Sequence, residues 1–170
     1  MAELTPKERL QPALLDRLID TEPDKQQEPR ESRLITRKRL REAVLRDLAW
    51  LFNTTRLGGE LELGGYDYAR HSVINFGLPA LSGETASTLD MVSLEQTIKQ
   101  AILDYEPRIM PASLQVQALA SASMLEQHNI VSIQIRGNLW AQPIPLELLL
   151  RTDVDLETGA VEIRDLGRVG

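Results

Sequence analysis

Apolar residues recur with two different periods along this chain, and the switch between them separates a helical half from a sheet-forming half. Between Thr36 and Asn53, Leu40, Val44, Leu48, Leu51 and Phe52 fall on one helical face, with Arg37, Lys38, Arg41 and Arg46 on the others. A second helix is predicted over roughly residues 93–105. Ser93 and Gln96 have capping-box spacing there, and Leu94, Ile98, Ala101, Ile102 and Tyr105 follow at helical intervals. Pro107 disfavours helical geometry at Glu106 and has no N–H to donate, so the helix ends at that point. Beyond it the period falls to two. Leu114/Val116/Ala118, Val131/Ile133/Ile135, Leu146/Leu148/Leu150 and Val161/Ile163 alternate with polar residues, the pattern of half-buried antiparallel strands. Leu156-Glu-Thr-Gly-Ala160 carries the glycine of a hairpin loop between the last two. The fold class read from this order is α+β, with N-terminal helices packed on a roughly four-stranded, mostly antiparallel sheet. No internal repeat is visible.

The flanks and loops set the domain boundaries. Leu10, Leu14, Leu15, Leu18 and Ile19 predict a short amphipathic helix, cut off by Thr21-Glu-Pro-Asp-Lys-Gln-Gln-Glu-Pro-Arg30, which has the composition of a linker. Residues 1–30 therefore read as a flexible arm and 31–170 as the folded domain. Such an arm either docks in a partner's groove or folds back onto its own domain. Gly58-Gly59 and Gly64-Gly65 bracket a Glu-Leu-Glu-Leu run, a loop with at most a small strand. Without a following Gly-Lys-Ser/Thr or a helix directly behind it, this is not a nucleotide loop. Ser72-Val-Ile-Asn-Phe-Gly-Leu-Pro79 is too short for periodicity to choose helix or strand, and the polar stretch 82–88 reads as loop.

With 42% hydrophobic and 26% charged residues in 170, the chain has the makings of one ordinary core. Only 4% of residues are aromatic, so the core is aliphatic and Trp50, Phe52, Phe76 and Trp140 stand out. Trp50 reads as core packing, as does Phe76 among Val73, Ile74 and Leu78. There is no cysteine, which removes disulfides, thiolate metal sites and a cysteine nucleophile and suits a reducing compartment; the expected location is cytoplasmic. The N-terminus lacks the apolar run of a secretory signal, and no stretch reaches the apolar length of a membrane span. The net charge of −6 is segregated: residues 30–46 hold seven basic and two acidic residues, a local +5 that leaves −11 elsewhere. An acidic remainder argues against broad nucleic-acid binding, and the basic helix reads either as a solvated face or as a surface for an acidic partner. His71 and His128 lack metal-ligand spacing and read as loop residues, Gly-x-Ser-x-Gly is absent, and neither a metal nor a cofactor is expected.

Three strings carry a family resemblance. They are the basic helix Arg41–Thr55 with Leu-Ala-Trp-Leu-Phe-Asn at 48–53, then Ser72-Val-Ile-Asn-Phe-Gly-Leu-Pro79, then Ile102-Leu-Asp-Tyr-Glu-Pro-Arg-Ile109. In this order and spacing the chain resembles the gp25-like baseplate wedge family of phage tails and of type VI secretion systems (TssE) over roughly residues 10–165. Leu14-Leu-Asp-Arg-Leu18 is similar to a leading motif of the secretion branch. The resemblance implies a structural subunit at the base of a contractile tail, at the inner face of the bacterial envelope. It would be held by other wedge proteins (TssF, TssG, TssK-like) and would start the tail sheath by strand addition. Neither nucleic acid nor a small-molecule substrate is implied. It also implies wedge contacts at Glu106, Pro107 and Arg108. Read from the residues alone, Glu106 caps its own chain and Arg108 pairs internally with an acid such as Asp104. The rival function is a peptidoglycan-cleaving, lysozyme-like hydrolase using Glu106. That chemistry needs two carboxylates about 5–9.5 Å apart, one kept protonated. Arg108 next door works against a protonated Glu106, and no second carboxylate is singled out, so the chain is read as a non-enzyme.

Overall fold

The computed structural model describes residues 13–18, 24, 35–58, 63, 65–81, 90–119, 129–141 and 144–167. Helix α1 is Leu14–Leu18, α2 is Arg37–Phe52, α3 is the single turn Asp67–Arg70 and α4 is Met91–Tyr105. The strands β1 Gln115–Leu119, β2 Ile130–Leu139, β3 Leu146–Asp155 and β4 Val161–Asp165 then form one antiparallel sheet in the order β1-β2-β3-β4. This is the α+β meander read from the two periods. The Glu-Leu-Glu stretch at 60–62, Leu10, Ile19, His128 and the polar loop 82–88 lie outside the described residues.

Local chemistry sets the helix ends. Thr36 caps α2 by accepting from the N–H of Arg39 at 3.2 Å. Helix α4 starts three residues earlier than its capping-box spacing predicts. Asp90 is the N-cap, accepting from the N–H of Val92 at 3.0 Å, so Ser93 is an interior helical residue. A carboxylate at the N-cap also meets the positive end of the helix dipole, which an uncharged Ser93 cap would not. At the other end the Glu106 N–H makes the last helical bond, to Ile102 at 2.8 Å, and Pro107 has none to offer.

The core is a sandwich of the helix layer and one face of the sheet. Helix α2 contributes Leu40, Val44, Leu48, Leu51 and Phe52, and α4 contributes Leu94, Ile98, Ala101 and Ile102. The sheet answers with alternate residues: Val131, Ile133, Ile135 and Leu139 of β2, Leu148, Leu150 and Val154 of β3. The opposite sheet face is polar. There the Ser132 hydroxyl donates to Asp153 at 2.6 Å, and Arg151 reaches both. Thr152 faces the core, fully buried, and its hydroxyl finds no partner among the described residues.

The segment after α2 is held without regular structure. Thr55 and Leu78 form an isolated parallel bridge, made by the residues on either side of Thr55: the Leu78 N–H donates to the Thr54 carbonyl and the Arg56 N–H to the Leu78 carbonyl, both at 2.8 Å. Gly77 makes this approach possible. Its φ is +122°, and a Cβ built there would lie 2.2 Å from the Thr54 carbonyl oxygen. Phe76 lies edge-on to Tyr105, centroids 5.2 Å apart, against the core. Val73 and Ile74, expected to pack with it, are mostly exposed because residues 73–75 form a 3₁₀ turn that points them outward. In the β3–β4 hairpin, Gly159 takes the left-handed φ of 74° that the loop reading assigns to it.

Gly77→Ala is expected to lower unfolding stability by about 2–4 kcal/mol, from backbone strain together with overpacking. Urea unfolding beside the wild type checks this. A loss under about 0.5 kcal/mol would mean the 54–56/77–78 bridge is not part of the cooperative fold.

Candidate functional site

The Glu-Pro-Arg motif lies where α4 hands over to the sheet. The Trp140 N–H donates to the Arg108 carbonyl and the Met110 N–H to the Asn138 carbonyl, both at 2.8 Å, so residues 108–110 pair with the end of β2. Ile109, between them, is buried. Proline thus stops the helix, and the next three residues are fixed as a short stretch of sheet.

Glu106 is only 3% exposed and is saturated by Arg108. Its Oε1 accepts from the Arg108 backbone N–H at 3.2 Å and Nε at 2.6 Å, and its Oε2 accepts from Nη2. The same Nη2 donates to Asp47 Oδ2 of α2 at 2.5 Å. Asp47, not Asp104, is therefore the second acid on Arg108. Asp104 is turned the other way, held by His71 Nδ1 at 2.9 Å and by Gln100 Nε2 at 2.8 Å. Burial pulls the Arg108 pKa down, but the hydrogen bonds and charge of Glu106, and then of Asp47, outweigh it and hold it above its ordinary value.

The chain of charges continues beyond Asp47. Arg46 Nε donates to Asp47 Oδ1 at 2.9 Å, and its Nη1 donates to Asp16 Oδ1 at 2.5 Å, reaching α1. The Arg46 guanidinium also lies over the Trp50 ring, 5.2 Å from its centroid. Trp50 is 51% exposed, so it is not the core residue that helical spacing suggests; it stands one turn past Arg46 on the outward side of α2. Trp140 is also about half exposed. Pro107 itself is exposed. Glu106, Pro107 and Arg108 are thus brought together as the sequence places them. Asp47, Arg46 and the two half-exposed tryptophans complete the site; the basic, aromatic character of the 41–53 helix signalled the first two and Trp50, and the scarcity of aromatic residues signalled Trp140.

Two further contacts fix α2 on β4. Arg41 grips the Asp165 carboxylate through Nε and Nη2 and donates to the Glu147 carbonyl at 2.9 Å. The Asn53 amide accepts from the Val161 N–H at 3.0 Å and donates to the Val161 carbonyl at 2.9 Å, as a neighbouring strand would. Arg37, Lys38 and Arg39 stay exposed, so the solvated-face reading holds for the first turn and fails for Arg41 and Arg46. Partial burial pushes the Asp165 carboxyl upward, but hydrogen bonds from Arg41 and the Gly167 N–H, with the Arg41 charge, set it below the ordinary carboxylate range.

A carboxylate whose native pKa is depressed adds stability that is complete above its unfolded value, about 4, and is lost as pH falls through the native value. Asp165→Asn should therefore cost about 2 kcal/mol at pH 7 and progressively less as the pH approaches 2. Urea unfolding of both proteins at several pH values measures the gap. A gap that stays constant with pH would show that the Asp165 charge is not what holds α2 to β4.

The family Baseplate wedge protein gp25 matches residues 38–144, a span that holds α2, the Gly77 bridge, the Glu-Pro-Arg motif and the first two strands. No curated protein and no solved structure matches the chain. The matched span covers well over half of the chain and includes the buried Glu106–Arg108–Asp47 cluster, and on that basis the chain belongs to the gp25 family of baseplate wedge proteins.

Proposed function

We propose that this chain is the TssE-type structural subunit of a type VI secretion baseplate. In this reading it works in the cytoplasm at the inner face of the envelope, is held by TssF, TssG and TssK-like wedge proteins, and starts the tail sheath by strand addition. The observation that carries the proposal is the gp25 match together with the Leu14-Leu-Asp-Arg-Leu18 segment ahead of it, whose Asp16 engages Arg46 of the matched span.

Glu106, Pro107 and Arg108 serve the wedge contact as a unit. The Glu106–Arg108 ion pair fixes the backbone, and in this reading a partner meets the exposed Pro107 together with the half-exposed Trp50 and Trp140. Half-exposed tryptophans and arginine are the residue types on which binding energy concentrates. A lysozyme-like role for Glu106 is not favoured. Its carboxylate is buried and both oxygens are engaged by Arg108, which closes it to a sugar oxygen.

Only β1 and β4 have open edges. On β1, the Ala118 N–H is already taken by Glu95 of α4 at 2.6 Å. On β4, Ala160 and Leu166 bond to β3 while Val161 turns its groups outward to Asn53, so by alternation Ile163 also presents N–H and C=O outward. The reading assigns the incoming sheath strand to β4 at Ile163.

Reconstitution of the chain with purified wedge and sheath proteins tests this. Ile163→Pro removes an outward donor without touching the β3–β4 ladder, so sheath growth should be lost and wedge binding kept. Arg108→Ala should weaken wedge binding per folded molecule at least tenfold. Sheath growth on the proline variant would contradict strand addition at β4. Unchanged wedge binding by Arg108→Ala with a lowered melting temperature would contradict the interface role of the motif.

A further inference from the structure

A cleft of about 610 Å³ opens between α4 and the Arg56–Gly77 segment, on the side of α4 that Asp104 faces and Glu106 does not. Its α4 wall is a polar stripe: Ser93, Gln96, Thr97, Gln100 and Asp104 recur at helical spacing. Opposite stand Arg56 and Arg70. The floor is built. Buried Asn75 donates to the Arg70 carbonyl at 3.1 Å and accepts from the Gly58 N–H at 3.2 Å, and the Tyr105 hydroxyl donates to the Ser72 carbonyl at 2.9 Å.

The charges in this cleft are unevenly spent. Asp104, the one carboxylate among the described residues lining it, is occupied on both oxygens by His71 and Gln100. Arg56 forms no ion pair among the described residues. Arg70 has only a 3.7 Å approach to the solvent-exposed Asp67, and its Nε is buried without a hydrogen-bond partner. Two guanidiniums with donors to spare therefore face one satisfied acid, on a chain of net charge −6. A guanidinium fork matches a carboxylate in a bidentate pair. The hydroxyl and amide stripe from Ser93 to Asp104 runs about 16 Å along the helix, the length of about five extended residues, whereas a single small anion would use only one end.

We infer that this cleft binds an extended, acidic peptide segment of an assembly partner, its carboxylates on Arg56 and Arg70 and its backbone along the Ser93–Asp104 stripe. This rests on the reading of the chain as an assembly subunit and gives it a second contact surface, separate from the Glu-Pro-Arg motif.

The test titrates the full ¹⁵N-labelled chain with the peptide acetyl-(Glu-Ser)₃-amide and follows backbone amide shifts. The inference requires shifts confined to residues around 56, 70–77 and 93–105, saturating near about 1 mM. It also requires at least tenfold weaker binding of acetyl-(Gln-Ser)₃-amide, and the same loss for the acidic peptide in R56Q/R70Q, whose spectrum reports its fold. Equal binding of the two peptides, shifts elsewhere, or no shifts would overturn it. So would inorganic phosphate saturating the same amides as tightly, which would make the cleft a small-anion site. A chain that binds the acidic peptide but does not assemble with wedge proteins refutes the baseplate reading and keeps the cleft; wedge assembly with no peptide binding does the reverse.

Discussion

The fold turns on one guanidinium. Arg108 is the common partner of Glu106, which ends α4, and Asp47, in the middle of α2, while its own carbonyl is paired to the end of β2. Three elements, α2, α4 and β2, are tied through this one residue. Breaking such a buried pair from one side leaves a charge unpaired in the interior, at a cost of about 3–5 kcal/mol. The proline between the acid and the base is what lets them close on each other: a helix would carry their side chains around the axis, whereas the turn through Pro107 and Arg108, closed by the Ile109 N–H on the Glu106 carbonyl at 3.1 Å, brings Arg108 back onto Glu106.

The same logic explains why α2 is the hub. Asp47 receives Arg108 from the α4–sheet junction, Arg41 grips Asp165, and Asn53 continues β4 as a substitute strand. One face of the helix is buried in the core, and these polar residues sit along its margins and fix its rotation and height on the sheet. The three strings by which the chain resembles baseplate wedge proteins meet in space. The first string touches the second through the Thr55–Leu78 bridge just past α2 and the third through Asp47, and Tyr105 joins the second and third through Phe76 and Ser72.

Much of this was legible in the residues. Period 3.6 located α2 and α4, period 2 located all four strands, and Pro107 and Gly159 marked a helix stop and a hairpin, because burial of one face and backbone geometry are local rules. Side-chain partners over long separations were not. Arg108 lies 61 residues from Asp47 and Arg41 lies 124 from Asp165, and nothing in spacing distinguishes Asp47 from Asp104 as the acid that Arg108 meets. Trp50 was misread for a related reason: the helical pattern leaves it at the margin of the apolar stripe, and its Arg46 stack decides that it faces outward. The start of α4 moved because Ser93 and Asp90 are both good cap residues, and the carboxylate three residues upstream, directly before Met91, is the one that caps the helix.

The claim that the Glu-Pro-Arg motif is an internal brace on α2 is tested most directly by a double-mutant cycle between Asp47 and Arg108, with each substituted by Ala singly and together. Unfolding free energies of the four proteins give the coupling. A short, partly buried pair should couple by about 1–2 kcal/mol, with the double variant losing less than the sum of the single losses. Coupling under about 0.5 kcal/mol would contradict the account, since the two residues would then contribute independently and the motif would not hold the helix layer to the sheet.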